Sequence, residues 1–167
     1  MKKGDNVINN LEIKRISIIN NQELTEAFTF IADERLDYYL KTYMDTTTIL
    51  EKDYIKKELF LEIRRDYFLH KNSAIYTAKV EGVLVGAALR CNSYLDYLFV
   101  KKEYRNQKIG SMLLERLLKE CSDYKIIYLN ANIEAVSLYE RYGFQKQVHH
   151  QNKNEISMVL ERKKYGQ

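Results

Sequence analysis

Proline is absent from all 167 residues, and glycine occurs only six times. There is no Pro-, Gly- or Ser-rich tract and no repeat of about 20–50 residues, so nothing marks a linker or a repeat array. The chain therefore reads as one domain over 1–167, with residues 1–10 expected to be flexible. Cysteine is scarce: Cys91 and Cys121 have no metal or redox spacing and read as reduced structural thiols. No His/Cys/Asp cluster has metal-ligand spacing, so no metal is expected. No apolar run approaches the roughly 20 residues that span a bilayer. The opening MKKGDNVINN has two lysines but no apolar stretch behind them, so no membrane partner and a cytoplasmic location are expected.

What is present is an ordinary globular composition, 46% hydrophobic and 30% charged, with a net charge of +4. The distribution of charge says more than its sum. Residues 101–108 (KKEYRNQK) hold four cations and one anion, whereas residues 21–53 hold eight carboxylates and three cations. A chain-wide basic footprint for nucleic acid is missing, so no nucleic-acid partner is expected, but a local anion site in one loop remains open.

Apolar spacing divides the chain into elements. IKRISII (13–19) reads as a strand. A helix follows from Asn21 to about Met44, with Leu24, Phe28, Ile31, Tyr39 and Tyr43 near helical spacing. A second helix over 48–68 carries Leu50, Tyr54, Leu59, Ile63 and Tyr67 as one side. Residues 73–80 and 83–91 form a hairpin about Glu81-Gly82, and 94–100 is the next strand. A helix over 109–121 has the stripe Ile109, Met112, Leu113, Leu117 and Cys121. After a strand at 125–131, Asn132 is placed to cap a helix over 133–142 that stops at Gly143, with Phe144 packing behind. Strands at 145–151 and 155–161 complete the order β-α-α-β-β-β-α-β-α-β-β, an α+β fold with a mixed central sheet flanked by helices.

The loop at 105–111 (Arg-Asn-Gln-Lys-Ile-Gly-Ser) lies between a strand and an amphipathic helix. The first turn of a helix offers unpaired N–H groups and the positive end of its dipole, which together suit phosphate oxygens. Gly110 removes a Cβ where an anion must approach, and Lys101, Lys102, Arg105 and Lys108 add positive charge. The bland alternative is a solvated surface turn. Asn132, Ala135 and Tyr139 recur at spacings of three and four, on one helix face. Asp96 alternates with Tyr94, Leu98 and Val100, which puts all four on one strand face and makes its carboxylate a candidate base acting through water. His149 and His150 are adjacent in a strand and point to opposite faces, so that one could approach a site.

Three stretches, Leu98-Phe99-Val100, Tyr104-Arg105-x-x-x-Ile109-Gly110 and Asn132-x-x-Ala135-x-x-Leu138-Tyr139-Glu140-x-x-Gly143-Phe144, resemble the GNAT superfamily of acyl-CoA-dependent N-acyltransferases. The element order is similar to that family over nearly the whole chain. The resemblance implies acetyl-CoA as cosubstrate. Its pyrophosphate would lie on the backbone of Arg105, Asn106, Gln107, Lys108, Ile109, Gly110 and Ser111. Its pantetheine would run beside Leu98, Phe99 and Val100, with Asn132 nearby. Tyr139 would sit near the sulfur as general acid, and a primary amine, either a small cation or a peptide amine, would attack the thioester directly. Two positions depart from the pattern: Lys108 stands where the first glycine of the loop is usual, and Lys102 where a proline is frequent.

Those departures motivate a second reading, a non-catalytic acyl-CoA-binding or regulatory module of the same fold. A third, a small nucleic-acid binder using the 101–108 cations, predicts steep salt dependence and has no recognised motif to support it. A homodimer is one further expectation, since many proteins of this kind pair through strands or helices, but no residue here selects an interface.

Overall fold

A computed structural model describes residues 10–43, 49–152 and 154–162. The expected flexible start, and the expected end of the first long helix and start of the second at 44–48, lie outside the described residues. The elements are β1 (Leu11–Arg15), α1 (Asn21–Tyr43), α2 (Ile49–Leu69), β2 (Ser73–Val80), β3 (Val83–Cys91), β4 (Tyr94–Val100), α3 (Ile109–Glu120), β5 (Ile126–Asn132), α4 (Val136–Glu140), β6 (Gln145–Asn152) and β7 (Glu155–Glu161). This is the order read from the sequence.

The strands form one sheet in the order β1-β2-β3-β4-β5-β7-β6. All neighbours are antiparallel except β4 and β5, which are parallel. One face packs on α3 and α4 through Leu113, Leu117, Leu129, Val136 and Tyr139. The other packs on α1 and α2 through Leu24, Phe28, Ile31, Ile63 and Tyr67. Two buried layers on one sheet explain why β3 is apolar almost throughout.

Several local readings hold. Glu81 and Gly82 both have positive φ, 51° and 80°, the conformation of a two-residue hairpin turn. Gly143 takes φ 87°, and the Phe144 N–H returns to the Tyr139 carbonyl at 3.2 Å, closing α4. Others are corrected. β1 ends at Arg15, because the chain turns through a bond from Asn20 N–H to the Ser17 carbonyl, and the Asn20 side chain then caps α1 at Glu23 N–H. Ile18 and Ile19, read as strand, are exposed in that turn. Leu50 and Tyr54 do not share the core side of α2: they are 82% and 65% exposed, while Ile63 and Tyr67 are buried. At about 100° per residue, Leu50 and Ile63 are far out of phase. In α3 the buried stripe takes Leu114, and Met112 faces solvent. The helix expected over 133–142 is a 3₁₀ turn (133–135) followed by the five-residue α4, and Asn132 makes no side-chain cap.

Gly86 lets α3 approach the sheet. A Cβ there would stand 3.1 Å from Leu113 Cδ1 and 3.2 Å from the Phe99 carbonyl, tighter than ordinary packing. Gly86→Val is expected to lower unfolding stability by about 1–3 kcal/mol, as overpacking does. Urea denaturation of the two proteins checks it, with the loss appearing in the midpoint rather than the slope.

Candidate active site

The site begins where the sheet opens. β4 and β5 pair only at Tyr94–Tyr128 and Leu95–Leu129. Beyond that β4 follows β3 while β5 follows β7 along its whole length. The β3 ladder decides which groups face the gap. Lys101 N–H bonds the Val85 carbonyl at 2.8 Å, so Phe99 and Tyr97, in the same phase, also turn their backbone groups to β3. Leu98 and Val100 turn theirs toward the gap. The Val100 carbonyl is taken by Arg105 Nε at 3.0 Å. The Leu98 N–H and carbonyl and the Val100 N–H form an open strand edge.

The loop after β4 leads into α3. Lys108 occupies the N-cap position with φ 65° and ψ 0°, and it supplies no side-chain cap. Its carbonyl already accepts the Met112 N–H at 3.0 Å, so the N–H groups of the first turn stand uncapped toward a groove of about 580 Å³. The left-handed backbone of a lysine costs roughly 1 kcal/mol. Asn106 adopts the same region, at φ 61°. The expected residues Leu98, Phe99, Val100, Arg105, Asn106, Lys108, Ile109, Gly110, Ser111 and Asn132 all line this groove. Gln107 does not, since its amide turns back to the Glu103 carbonyl. At Gly110 a Cβ would point toward Leu98, Leu138 and Val100 at 3.6–3.8 Å, an ordinary packing distance. Arg141, which also lines the groove, was not singled out in the sequence; its place one turn after Leu138 on the α4 face is the signal that could have found it.

A second cavity, of about 240 Å³, continues through the gap and shares Leu98, Phe99, Asn132 and Ala135 with the first. Tyr139 and Asp96 both line it. Tyr139 is 7% exposed, and its ring stands edge-on to Phe144 at 5.8 Å. Its hydroxyl bonds no described residue, and burial pushes it up to about 12. Asn132 Oδ1 is buried without a partner, and so is Asp96 Oδ2.

Asp96 is not where simple alternation places it. The register shifts between Leu89–Tyr97 and Arg90–Leu95, leaving Asp96 as an extra residue in β4. Leu98 and Val100 stay on the α3 side, while the carboxyl of Asp96 lies among Cys91, Asp66 and His70 on the α2 side. Burial raises that carboxyl to about 6, opposed by the Cys91 thiol that bonds it and helped by the charge of Asp66. Cys91 and Cys121 are buried thiols raised by burial, Cys91 to about 12, which makes both poor nucleophiles. His149 and His150 fall in β6, but their side chains lie outside the described residues.

The remaining walls of the second cavity come from distant segments. Arg35 of α1 donates to the Tyr97 hydroxyl at 3.0 Å and pairs with Glu62 at 3.1 Å. Tyr38 reaches the Asn154 carbonyl at 3.4 Å, linking α1 to the β6–β7 turn beside Glu155. No sequence spacing joins Arg35, Tyr38, Tyr97 and Glu155; only the polar positions facing inward on α1 hint at them. Among the described residues no three His, Cys, Asp or Glu side chains gather as a metal site, and no helix is long and apolar enough to cross a membrane.

With this geometry in view, the chain can be set beside known proteins. Residues 19–164 match the family model described as an acetyltransferase (GNAT) domain. Over 73 residues the chain is 37% identical to an uncharacterized N-acetyltransferase, YafP, of Escherichia coli, covering 44% of this chain and 47% of that protein. Over 57 residues it is 39% identical to a thialysine N-epsilon-acetyltransferase of Sus scrofa, covering 31% and 34%. Over 58 residues it is 36% identical to a probable spermine N(1)-acetyltransferase of Bacillus subtilis subsp. natto, covering 31% and 38%. The chain thus spans half or less of the length of these relatives. Two solved structures share its fold nearly end to end. One is a GCN5-related N-acetyltransferase from Rhodopseudomonas palustris, with TM-score 0.66 and 15% identity over 93% of this chain and 98% of that one. The other is the PaiA N-acetyltransferase from Thermoplasma acidophilum in complex with coenzyme A, with TM-score 0.64 and 20% identity over 92% and 99%. Since the family model spans most of the sequence, this chain belongs to the GNAT acetyltransferase family.

Proposed function

We propose that the protein is an acetyl-CoA-dependent N-acetyltransferase that moves an acetyl group to a primary amine by direct attack in a ternary complex. The observation that carries this reading is the junction of two cavities at the open edge of β4: one ends on the uncapped front of α3, the other on Asp96 and Tyr139. The groove side suits the pyrophosphate, through N–H groups of the first turn and the cations Arg105, Lys108 and Arg141. The open edge at Leu98 and Val100 suits the pantetheine amides, which would pair as an added strand. The partnerless Asn132 Oδ1 supplies an acceptor at the same place.

Each residue then has a role in the transfer. The amine lone pair attacks the thioester carbonyl carbon, with a β4 N–H placed to receive charge on the oxygen. The C–S bond breaks, and the Tyr139 hydroxyl, kept protonated by burial, gives its proton to the departing sulfur. Asp96 receives the proton lost by the amine, through water. An alkylamine with a pKa near 10.4 is neutral in only about 1 in 2,500 molecules at pH 7, which costs roughly 4–5 kcal/mol. A carboxylate that is mostly ionised above pH 6 acts after that cost is met, by taking the proton that the nitrogen sheds as the C–N bond forms. Lys108 favours a second reading, a module that binds the acyl-CoA without turnover, because it spends backbone strain where glycine would not. Against that reading, the catalytic side retains Tyr139 and Asp96.

Two substitutions test these assignments. Gly110→Asp puts a carboxylate at the anion site but also in the first turn of α3, where negative charge favours the helix. The expected result is a protein that stays folded by circular dichroism, with an acetyl-CoA affinity at least 100-fold weaker by calorimetry than that of a Gly110→Ala control; equal affinity of the two would remove the phosphates from this loop. For Asp96 the sign of the linkage is explicit. The unfolded carboxyl loses its proton near pH 4 and the folded one near 6, so stability falls as pH rises through that window. Asp96→Asn is expected to raise stability at pH 7.5 by about 1–3 kcal/mol. It should also slow acetyl transfer by about 100-fold and remove the acid limb of the kcat profile near pH 6.

A further inference from the structure

The acidic tract at 21–53 is the obvious source of attraction for a cationic substrate, yet four of its eight carboxylates are paired locally. Glu23 pairs with Lys14, Glu26 with Lys79, Asp33 with Lys56 and Asp37 with Lys41. The carboxylates that reach the second cavity are Asp96 and Glu155, carried by β4 and β7. Glu155 forms no ion pair among the described residues. The phenol of Tyr94 lies between them: burial raises it first, and the charges of Asp96 and Glu155 raise it further. Among the described residues lining the wall the one cation is Arg35, and its charge is already balanced by Glu62 at 3.1 Å, with the Tyr97 hydroxyl on the same nitrogen, Nη1. Tyr139, more than nine-tenths buried and without a hydrogen-bond partner, points its hydroxyl into the same space.

We infer that the acceptor is a small aliphatic diamine, with its reacting nitrogen between Asp96 and Tyr139 and its distant ammonium on Glu155. This rests on the acetyltransferase reading above and narrows it. The cavity of about 240 Å³ has room for a short alkyl chain. Its tyrosine walls (Tyr38, Tyr94, Tyr97, Tyr139) suit an alkyl chain, and an ammonium over an aromatic face is further stabilised. In the transfer the near amine enters neutral, gains the acetyl group and loses one proton to Asp96; the sulfur takes one from Tyr139, which recovers it from Asp96 through water, and the far ammonium stays protonated throughout.

Three acceptors of one length separate the terms. Cadaverine has both amines, n-pentylamine lacks the distant charge, and free lysine adds a carboxylate. With acetyl-CoA saturating, cadaverine is expected to have a kcat/KM at least tenfold above either of the others. Glu155→Gln is expected to narrow its advantage over n-pentylamine to about twofold or less, since only the diamine gains from that carboxylate. Equal rates for cadaverine and n-pentylamine, lysine as the better substrate, or an advantage that survives Glu155→Gln would each overturn the inference. Transfer to none of the three overturns it as well. Acetyl-CoA binding measured on the same protein then separates the two claims, for retained binding leaves the wider reading standing and its loss removes both.

Discussion

The parting of β4 from β5 after two residue pairs is the constraint on which the rest depends. A sheet that stayed zipped would bury the backbone groups of Leu98 and Val100 in a ladder, and neither cavity would exist. Both strands are held elsewhere, β4 by β3 and β5 by β7, so the opening does not unravel the sheet. The α3–α4 layer fills one side of the gap. Gly86 brings α3 down onto the strands. Arg105 then closes the far end by taking the Val100 carbonyl, which leaves the remaining edge groups as the ones a ligand can use.

Around this gap the protein keeps polar atoms that folding alone would not retain. Asp96 Oδ2 and Asn132 Oδ1 are buried without partners, and the Tyr139 hydroxyl makes no bond. A buried polar group without a partner costs about 1–3 kcal/mol, so two such atoms in one place, Asp96 Oδ2 and Asn132 Oδ1, are a concentrated sacrifice of stability. The left-handed Lys108 adds to it a few residues away. Such clustering of unsatisfied and strained groups is the usual mark of a site shaped for a ligand rather than for the fold.

The sheet and helix order were legible because each rests on local signals: alternation in 73–91, the Glu81-Gly82 turn, the stripe in α3 and the Gly143 stop. The uncapped front of α3 was legible for the same reason, as bare N–H groups and cations fall within a few consecutive residues. The failures came where a single residue changes phase or where distant segments meet. One inserted residue in β4 moves Asp96 off the face that strict alternation assigns, and an insertion leaves no trace in composition. Asn132 looked like a cap because its type suits one, but the chain enters a 3₁₀ turn there and leaves its side-chain oxygen buried without a partner. Leu50 and Tyr54 looked like core because they are apolar, while the helix phase sends them to solvent. Arg35, Tyr38 and Glu155 meet only through the tertiary fold, from segments more than a hundred residues apart in the chain.

The central claim is that the open edge of β4 receives the acetyl-CoA arm as an added strand. Residue-resolved amide hydrogen exchange, with and without acetyl-CoA, tests it most directly. Marked slowing is expected at Leu98 and Val100, whose N–H groups face the gap, with little change at Tyr97 and Phe99, which already bond β3. Equal exchange at Leu98 and Val100 in the free and bound protein, with acetyl-CoA shown to be bound, would contradict it.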